Sequence, residues 1–196
     1  MRNNLIPLFF LLLLSSCTTS YLKNYYFEHK DELNHIENQY KKEYSKSPFS
    51  LEYSDKNFKN ISVEIVTDSI KLIYNFNRFE KKMDDSLKKY KLNEQAIDNL
   101  LDSMKKTGCI WLSKLDYYVA GKKNLLVFMS IREKRFHIPL TKHKYYILAY
   151  FEQPQYYDDK EVLLNRRQQR IARKIHGDIF RRITDKVAYT ISDRFR

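Results

Sequence analysis

Glycine and proline are scarce in this chain of 196 residues, which contains only 3 Gly and 4 Pro. This scarcity argues against long flexible linkers and against a barrel built from many tight turns. It also disfavours sites in which backbone N–H groups cradle a phosphate, because such loops need several glycines. No Gly-rich phosphate loop, GxSxG motif or HExxH motif occurs, so the common signatures of nucleotide-binding enzymes, serine hydrolases and zinc proteases are missing.

The chain also lacks an apolar run long enough to span a membrane. The run from Leu5 to Leu14 is interrupted only by Pro7, and it has about half of the roughly 20 residues that a membrane-spanning helix needs. A short apolar core that follows a positively charged start, here Arg2, is typical of a secretory signal peptide.

This signal ends in Leu14-Ser15-Ser16-Cys17, which resembles the lipobox of bacterial lipoproteins. The resemblance covers the signal alone, and no family is identified for the folded part. It implies that residues 1–16 are cleaved off, that the Cys17 thiol is lipidated and that the new amino terminus is acylated. The alternative is an ordinary secreted protein in which Cys17 falls at this position by chance.

Two or three acyl chains on Cys17 would form a stable membrane anchor, because a single chain holds a protein only reversibly. The segment Thr18-Thr19-Ser20 places no Asp beside the lipidated cysteine. By resemblance to enteric lipoproteins, this implies sorting to the outer membrane, and the absence of an acidic run there favours the periplasmic face. The outer face of the cytoplasmic membrane is the alternative location.

Cysteine is nearly absent, since the chain has 2 Cys. With Cys17 lipidated, Cys109 stands alone and no intramolecular disulfide is possible. A nucleophilic Cys109 with His137 or His143 as its base is the alternative, but Cys109 opens an apolar segment, so we expect a buried and inert thiol. The histidines show no zinc-type spacing. We therefore predict no catalytic residue, no metal site and no cofactor.

Positive charge dominates the composition, with 36 Lys or Arg against 24 Asp or Glu and a formal net charge of +12. Residues 160–196 alone hold 11 Lys or Arg and 4 Asp or Glu. Export argues against nucleic acid as a partner. The expected partners are the membrane, through the N-terminal lipid, and anionic lipid headgroups, lipopolysaccharide phosphates or an acidic face of an envelope protein.

Apolar periodicity predicts a lipid-anchored tether at residues 17–47, with a helix from Glu28 to Lys46, and a single α+β domain at residues 48–196. Alternating residues at 61–65 and 70–76 predict a β-hairpin, preceded by a short strand at 49–53. Two helices follow, the second between an Asn93 N-cap and Gly108. Runs at 110–120, 125–131, 136–140 and 145–151 predict an antiparallel meander. The predicted fold class is thus α+β, an antiparallel sheet of hairpin plus meander packed by helices.

The tail from Asp158 to Arg196 is predicted to be a long, basic helical segment. Asp158 and Glu161 have the spacing of a capping box. Two apolar stripes, one at residues 164, 171, 175 and 179 and one at 180, 183, 187 and 191, lie about 140° apart on a helix that turns about 100° per residue. A straight helix cannot bury both stripes against one flat sheet, so a bend or break at Gly177 is expected. One long helix wrapping a curved core is the alternative.

Six cationic residues lie within about 120° of one another on this predicted helix, opposite its first apolar stripe. They are Arg166, Arg167, Arg170, Arg173, Lys174 and Arg181. Most of them are Arg, whose guanidinium group makes forked contacts with phosphate, which favours a face that contacts an anion or a partner. The alternative is the solvated face of an amphipathic helix.

Together these features predict a membrane-anchored envelope lipoprotein that is not an enzyme and that contacts an anionic surface or a partner protein through a basic C-terminal helix. The sequence leaves two alternatives open. An enzyme that modifies envelope polymer or lipid would need a concave pocket with convergent polar groups. A carrier of small apolar ligands would need a sizeable apolar cavity.

Overall fold

The structure, a computed structural model, describes residues 21–67, 70–78, 80–132 and 144–194. Its helices are α1 (residues 21–28), α2 (Lys30–Tyr44), α3 (Lys81–Lys89) and α4 (Glu94–Thr107). Its strands are β1 (Phe49–Tyr53), β2 (Asn60–Val66), β3 (Lys71–Asn77), β4 (Cys109–Val119), β5 (Lys122–Arg132), β6 (Tyr145–Phe151), β7 (Leu164–Asn165), β8 (Gln168–Ala172), β9 (Lys174–Ile175), β10 (Asp178–Ile179), β11 (Arg181–Arg182) and β12 (Val187–Ser192).

Eight of these strands form one antiparallel sheet in the order β11-β12-β6-β5-β4-β1-β2-β3, and the pairs β7–β8 and β9–β10 form two small hairpins beside it. The α+β fold class predicted from the sequence is confirmed. The signal peptide, including Cys17, lies outside the described residues, as does the predicted strand at 136–140. No helix within the described ranges is long and apolar enough to cross a membrane.

The predicted hairpin is the pair β2–β3. Ile61 and Val63 stand opposite Phe76 and Tyr74, so the alternating residues share one side of the sheet, as the period of two requires. Phe49, Leu51 and Tyr53 of β1 continue the same side across the neighbouring strand. This alternation places the apolar residues under the helices and the polar residues on the opposite side.

Helix α4 is the element whose sequence signals agree most completely with the structure. The Asn93 side chain accepts a hydrogen bond from the Ala96 backbone N–H at 2.9 Å, and Gly108 ends the helix in the left-handed conformation with φ 65°. Ile97, Leu100, Leu101 and Met104 are all buried. The predicted cap, stop and apolar stripe are therefore confirmed, and α4 packs against α2 and β4.

The meander β4–β5–β6 is confirmed, with the apolar run at 125–131 inside the central strand β5. The turn that joins β4 to β5 is Ala120-Gly121, and both residues have positive φ, 50° and 77°. Two-residue hairpin loops with positive φ at both central positions match the right-handed twist of the strands that they join.

The predicted C-terminal helix is wrong, because the tail folds into strands β7 to β12. Gly177, expected to break a helix, instead forms with His176 the two-residue turn of the β9–β10 hairpin, with φ 51° for His176 and 86° for Gly177. The expected capping box at Asp158 is also wrong: the Asp158 carboxylate accepts hydrogen bonds from the Lys160 and Val162 backbone N–H groups within a loop.

The wrong helix prediction has a physical reason. In β12, Val187 and Tyr189 face the helices, while Ala188 and Thr190 face the other way. This period of two residues is hidden in the sequence, because the apolar residues 180, 183, 187 and 191 also have helical spacing. Strands β7, β9, β10 and β11 have only two residues each, which is too short to show any period. β-Branched residues, frequent in this tail, favour strands over helices.

The sheet separates two apolar cores. On one side, the helices and the sheet share a continuous core that includes Leu22, Leu33 and Ile36 of α1 and α2, all fully buried. On the other side, called here the far face, the segment 163–180 covers β4, β5, β6 and β12 with a smaller core around Phe128 and Phe180. The far face of β1, β2 and β3 carries polar residues such as Glu52 and Ser62 and has no such cover among the described residues.

Candidate functional site

The six predicted contact residues do not share a helix face, because the segment that holds them is β structure. Arg166 and Arg167 form the turn between β7 and β8, Arg170 lies in β8, Arg173 lies between β8 and β9, Lys174 lies in β9 and Arg181 lies in β11. All are exposed except Arg173, which is partly buried. The structure therefore spreads them over the C-terminal strands and brings two of them, Arg166 and Arg173, to one polar network.

Two glutamines of the loop after β6 hold these two arginines. Arg166 Nη1 donates to Gln153 Oε1 at 3.1 Å, and Arg173 Nη1 donates to Gln155 Oε1 at 3.2 Å. Gln153 Nε2 in turn donates to Asn124 Oδ1 at 3.1 Å. We call these five residues the arginine–amide cluster. Neutral amide oxygens orient its guanidinium groups without neutralising their charge.

Aromatic rings support the same arginines. The Arg173 guanidinium carbon lies 5.6 Å from the ring centroid of Tyr117 and 5.8 Å from that of Phe151, and the Arg166 guanidinium carbon lies 5.7 Å from that of Tyr156. Cation–π contacts at this distance hold a guanidinium in place while its charge remains. Burial lowers the pKa of Arg173 below its ordinary value, and the group stays protonated at neutral pH.

Neighbouring cations differ from the predicted contact residues because they form ion pairs with carboxylates. Arg182 pairs with Asp185 at 2.6 Å, and Lys23 of α1 pairs with Glu161 at 2.5 Å. Among the residues that the structure describes, none of the six predicted contact residues has such a partner. The Arg181 side chain donates to a backbone oxygen, that of Lys160, at 3.1 Å. The C-terminal strands thus carry a set of cations that no carboxylate of the described ranges compensates.

The tip of the β7–β8 hairpin carries two of the exposed cations, Arg166 and Arg167. The Asn165 side chain accepts from the Arg167 backbone N–H at 3.1 Å and so fixes the turn. Every residue of β8 from Gln168 to Ile171 is exposed, and Ile171 shows 52 % of its surface. Such a mixed basic and apolar tip is suited to a surface that offers both negative charge and apolar contact.

A pocket of about 150 Å³ lies on the far face, where the β9–β10 hairpin meets the sheet. Trp111, Phe128 and Ile147 line it from the sheet, and Ile175, His176, Asp178 and Phe180 line it from the hairpin side. Ser192 and Arg194 complete the lining at the end of β12. We call it the aromatic pocket. It was not apparent from the sequence, because its walls come from segments distant in sequence.

Cys109 is fully buried and lies outside both sites. Its thiol donates to the Trp111 backbone oxygen at 3.3 Å, and burial raises its pKa to about 12. A thiol with so high a pKa holds almost no thiolate at neutral pH and is a poor nucleophile. His137 and His143, the bases considered for it, lie outside the described residues. Within the described part of the chain, no group of three His, Cys, Asp or Glu residues is arranged to hold a metal ion.

The residues that sequence reasoning missed are the neutral members of the arginine–amide cluster. Asn124, Gln153 and Gln155 come from the β4–β5 hairpin and from the loop after β6. The sequence signal was slight: two glutamines flanking Pro154 in an otherwise aromatic segment. Comparison with known proteins gave no match, since no protein-family model, no curated protein and no solved structure is significantly similar to this chain.

Proposed function

We propose that this chain is a lipid-anchored protein of the bacterial cell envelope, without enzymatic activity, whose domain binds anionic lipid headgroups beside its own anchor. The observation that carries the proposal is the set of cations on the C-terminal strands that have no carboxylate partner among the described residues. Arginine in particular suits phosphate, because its planar fork makes two parallel hydrogen bonds to one group.

A lipid anchor at Cys17 would bring the basic surface close to the membrane. Cys17 precedes Tyr21 by four residues, and an extended chain covers at most about 3.6 Å per residue. A lipidated Cys17 would therefore hold Tyr21 within about 14 Å of the membrane surface. Lys23, two residues later, pairs with Glu161, and the backbone oxygen of the adjacent Lys160 accepts a hydrogen bond from Arg181. A basic edge of the sheet would thus lie close to the lipid.

Short distance matters because charge attraction to a membrane is short-ranged. A Lys or Arg near an anionic surface contributes about 1 kcal/mol, and this contribution fades within a Debye length of about 8 Å at physiological salt. A domain that diffused freely would gain little from these cations at that salt concentration. A tether of so few residues would hold the domain beside the membrane, so that these cations meet the headgroups far more often than those of a freely diffusing domain would.

The anchor is tested by the intact mass of the protein from the membrane fraction, compared with a Cys17→Ser variant. The expected mass is that of residues 17–196 plus two or three acyl chains, and the variant should lose the lipid. A mature chain that starts elsewhere or carries no lipid would contradict the proposed anchor. The argument that the basic surface lies close to the membrane would then fail as well.

The basic surface is tested separately with the Cys17→Ser chain, which cannot be acylated. Its binding to vesicles of phosphatidylglycerol is compared with binding to vesicles of phosphatidylcholine at low salt. The variant carries Arg166→Gln, Arg167→Gln and Arg170→Gln, all exposed. At about 1 kcal/mol per cation, the triple change should weaken binding to the anionic vesicles about a hundredfold.

A matched control removes the same charge from the helical side of the molecule. Lys81, Lys105 and Lys106 are exposed on α3 and α4, and their replacement by Gln lowers the net charge equally. The control should retain most of the binding. Equal weakening by both triple variants would show that only net charge matters. Unchanged binding by the arginine variant would remove these residues from the proposal and direct the search to a partner protein.

A further inference from the structure

The aromatic pocket is a second feature, independent of the anchor and of the basic surface. Phe128, which is 1 % exposed, is part of its lining. The Phe128 ring centroid is 6.4 Å from that of Trp111, 5.1 Å from that of His176 and 6.2 Å from that of Phe180. A cavity of about 150 Å³ is large enough for one benzene ring, so the pocket can hold a single six-membered ring against these faces.

Two charged groups of opposite sign at the pocket have no partner among the described residues. Asp178 and Arg194 both line it, yet neither side chain makes an ion pair or a hydrogen bond within the described residues. A carboxylate and a guanidinium that do not pair with one another can each receive a ligand group of the opposite charge. The lining therefore offers one site for a cation and one for an anion above an aromatic floor.

Backbone conformation holds one wall of the pocket in place. His176 has φ 51°, an uncommon conformation for a residue other than glycine, and with Gly177 it makes the tight turn of the β9–β10 hairpin. This turn places the His176 ring beside Phe128 and puts Asp178 two residues further along the same hairpin. Positive φ at both central positions is the geometry of a two-residue hairpin turn, so the turn itself fixes where this wall stands.

From these features we propose that the aromatic pocket binds a small zwitterion that carries one aromatic ring, of which a free aromatic amino acid is the simplest case. The ring lies in the cavity that Trp111, Phe128 and His176 line. The ammonium group is met by the Asp178 carboxylate and the ligand carboxylate by the Arg194 guanidinium. Pockets for small molecules commonly have this composition, with an aromatic lining and a few polar groups that fix the orientation of the ligand.

The chain supplies its own reporter, because its only tryptophan, Trp111, lines the pocket. Titration of the purified full chain with L-phenylalanine, whose own emission does not overlap, should change the Trp111 fluorescence with saturation. Phenylacetate lacks the ammonium group and phenethylamine lacks the carboxylate. Each should bind at least about tenfold more weakly, the usual effect of losing one charge-assisted hydrogen bond.

Two substitutions assign the charges to their ligand groups. In Asp178→Asn, L-phenylalanine should bind no better than phenylacetate binds to the wild type. In Arg194→Gln, it should bind no better than phenethylamine does. Asp159→Asn and Lys106→Gln make the same charge changes at exposed positions away from the pocket and should leave binding unchanged. Because Arg194 is exposed and Asp178 only partly buried, neither variant should unfold, and the urea unfolding midpoint of each checks this.

The opposite results overturn the proposal. Absence of any saturable change with L-phenylalanine would show that no such ligand is bound. Equal affinity for the three probes would show an apolar crevice with no role for the charges. Unchanged affinity in both Asp178→Asn and Arg194→Gln would likewise exclude a role for the charges, and tighter binding of glucose than of L-phenylalanine would identify a neutral ring as the better ligand.

Discussion

The two faces of the eight-stranded sheet are covered in different ways. On the helical side, α1 to α4 and the sheet share one continuous core that extends from Val187 and Tyr189 in β12 to Phe76 in β3. On the far face, the cover consists of short strands and loops between Leu163 and Phe180, and its core reaches only across β4, β5, β6 and β12. Ile73 of β3, on the uncovered part, is 57 % exposed.

This difference shows how the two layers depend on the sheet. The helices satisfy their own backbone hydrogen bonds, so side-chain packing and a few side-chain hydrogen bonds, such as that from the Tyr53 hydroxyl to the Leu101 backbone oxygen at 3.0 Å, attach them. The far-face layer instead uses bonds between loops, such as Leu163 N–H to Phe180 O and Arg173 N–H to Leu163 O, both at 2.8 Å. We infer that the helical side determines global stability, while the far-face layer, which carries the arginines and the aromatic pocket, can open locally without unfolding the rest.

The largest effect is expected for Leu101→Ala on the helical side. Leu101 is fully buried in α4, within the continuous core. Removing a buried leucine side chain lowers the free energy of unfolding by about 2–5 kcal/mol, and the upper half of this range applies where the surroundings cannot collapse into the cavity. Urea unfolding followed by circular dichroism should show one transition at a much lower midpoint. A loss below about 1 kcal/mol would contradict the central role of this core.

The matched change on the far face is Leu163→Ala, also at a fully buried leucine. The smaller layer can relax around the cavity, so the expected loss is about 2–3 kcal/mol, at the low end of the range for this substitution. Amide hydrogen exchange separates the two cases. The N–H groups of residue 163 and of Arg173 should exchange faster in this variant, while those of α4 keep their protection. Equal acceleration in both regions would mean that the sheet and both layers unfold together.

The difference between the helical side and the far-face layer also explains which elements could be predicted from the sequence. Helix α4 carries its signals within its own residues: Asn93 before it, Gly108 after it and a regular apolar stripe between them. The β2–β3 hairpin likewise alternates within a few residues. Most elements of the helical side could therefore be predicted locally, because one period continues for long enough to be recognised. Helix α1 is the exception, since its residues were expected to form a tether.

The far-face layer could not be predicted from local sequence patterns. Its two-residue strands owe their positions to pairing with segments elsewhere, as in the isolated bridge between Val162 and Arg181. The six cations were identified by residue type, yet their arrangement was wrong because a helix had been assumed. Gln153, Gln155 and the walls of the aromatic pocket are joined only by tertiary structure. The local clues were slight: the two glutamines that flank Pro154 and the His176-Gly177 turn.

That turn gives the next prediction, for Gly177→Ala. Gly177 has φ 86°, and a Cβ added there would meet nothing within 4 Å. The whole effect is therefore conformational, because a non-glycine residue in the left-handed region lowers the free energy of unfolding by about 1–2 kcal/mol. It should appear as weaker protection of the β9–β10 hairpin and as weaker binding in the aromatic pocket, read from Trp111 fluorescence.

Gly121→Ala is the control for this change. Gly121 has φ 77° and equally open surroundings, but it lies in the turn between β4 and β5, two strands that belong to both cores. The loss of stability should be similar in size, yet it should lower the global unfolding midpoint rather than loosen one hairpin. If both glycine variants act globally, the far-face layer is not an independent unit.

The smallest effects are expected from two aspartates whose pKa values shift in opposite directions. Partial burial disfavours the charge of Asp55, in the β1–β2 loop, but hydrogen bonds from the backbone N–H groups of Asn60, Lys59 and Asn57 outweigh it and lower its pKa below the ordinary 3.8. Burial raises the pKa of Asp98 on α4, and this effect together with nearby acidic groups outweighs the opposing charge of Arg78.

The signs of the two contributions to stability follow from these directions. Asp55 stabilises the fold above pH 3.8, and this contribution is lost as the pH falls through its lowered pKa. Asp98 destabilises the fold at neutral pH, and this penalty disappears as the pH falls from its raised pKa towards 3.8. Asp55→Asn should therefore lower, and Asp98→Asn raise, the urea midpoint at pH 7. The Asp98 difference should vanish once the pH is below 3.8, and the Asp55 difference only below the lowered pKa of Asp55. Shifts of the same sign at pH 7 would contradict the surroundings assigned to one of the two carboxyl groups.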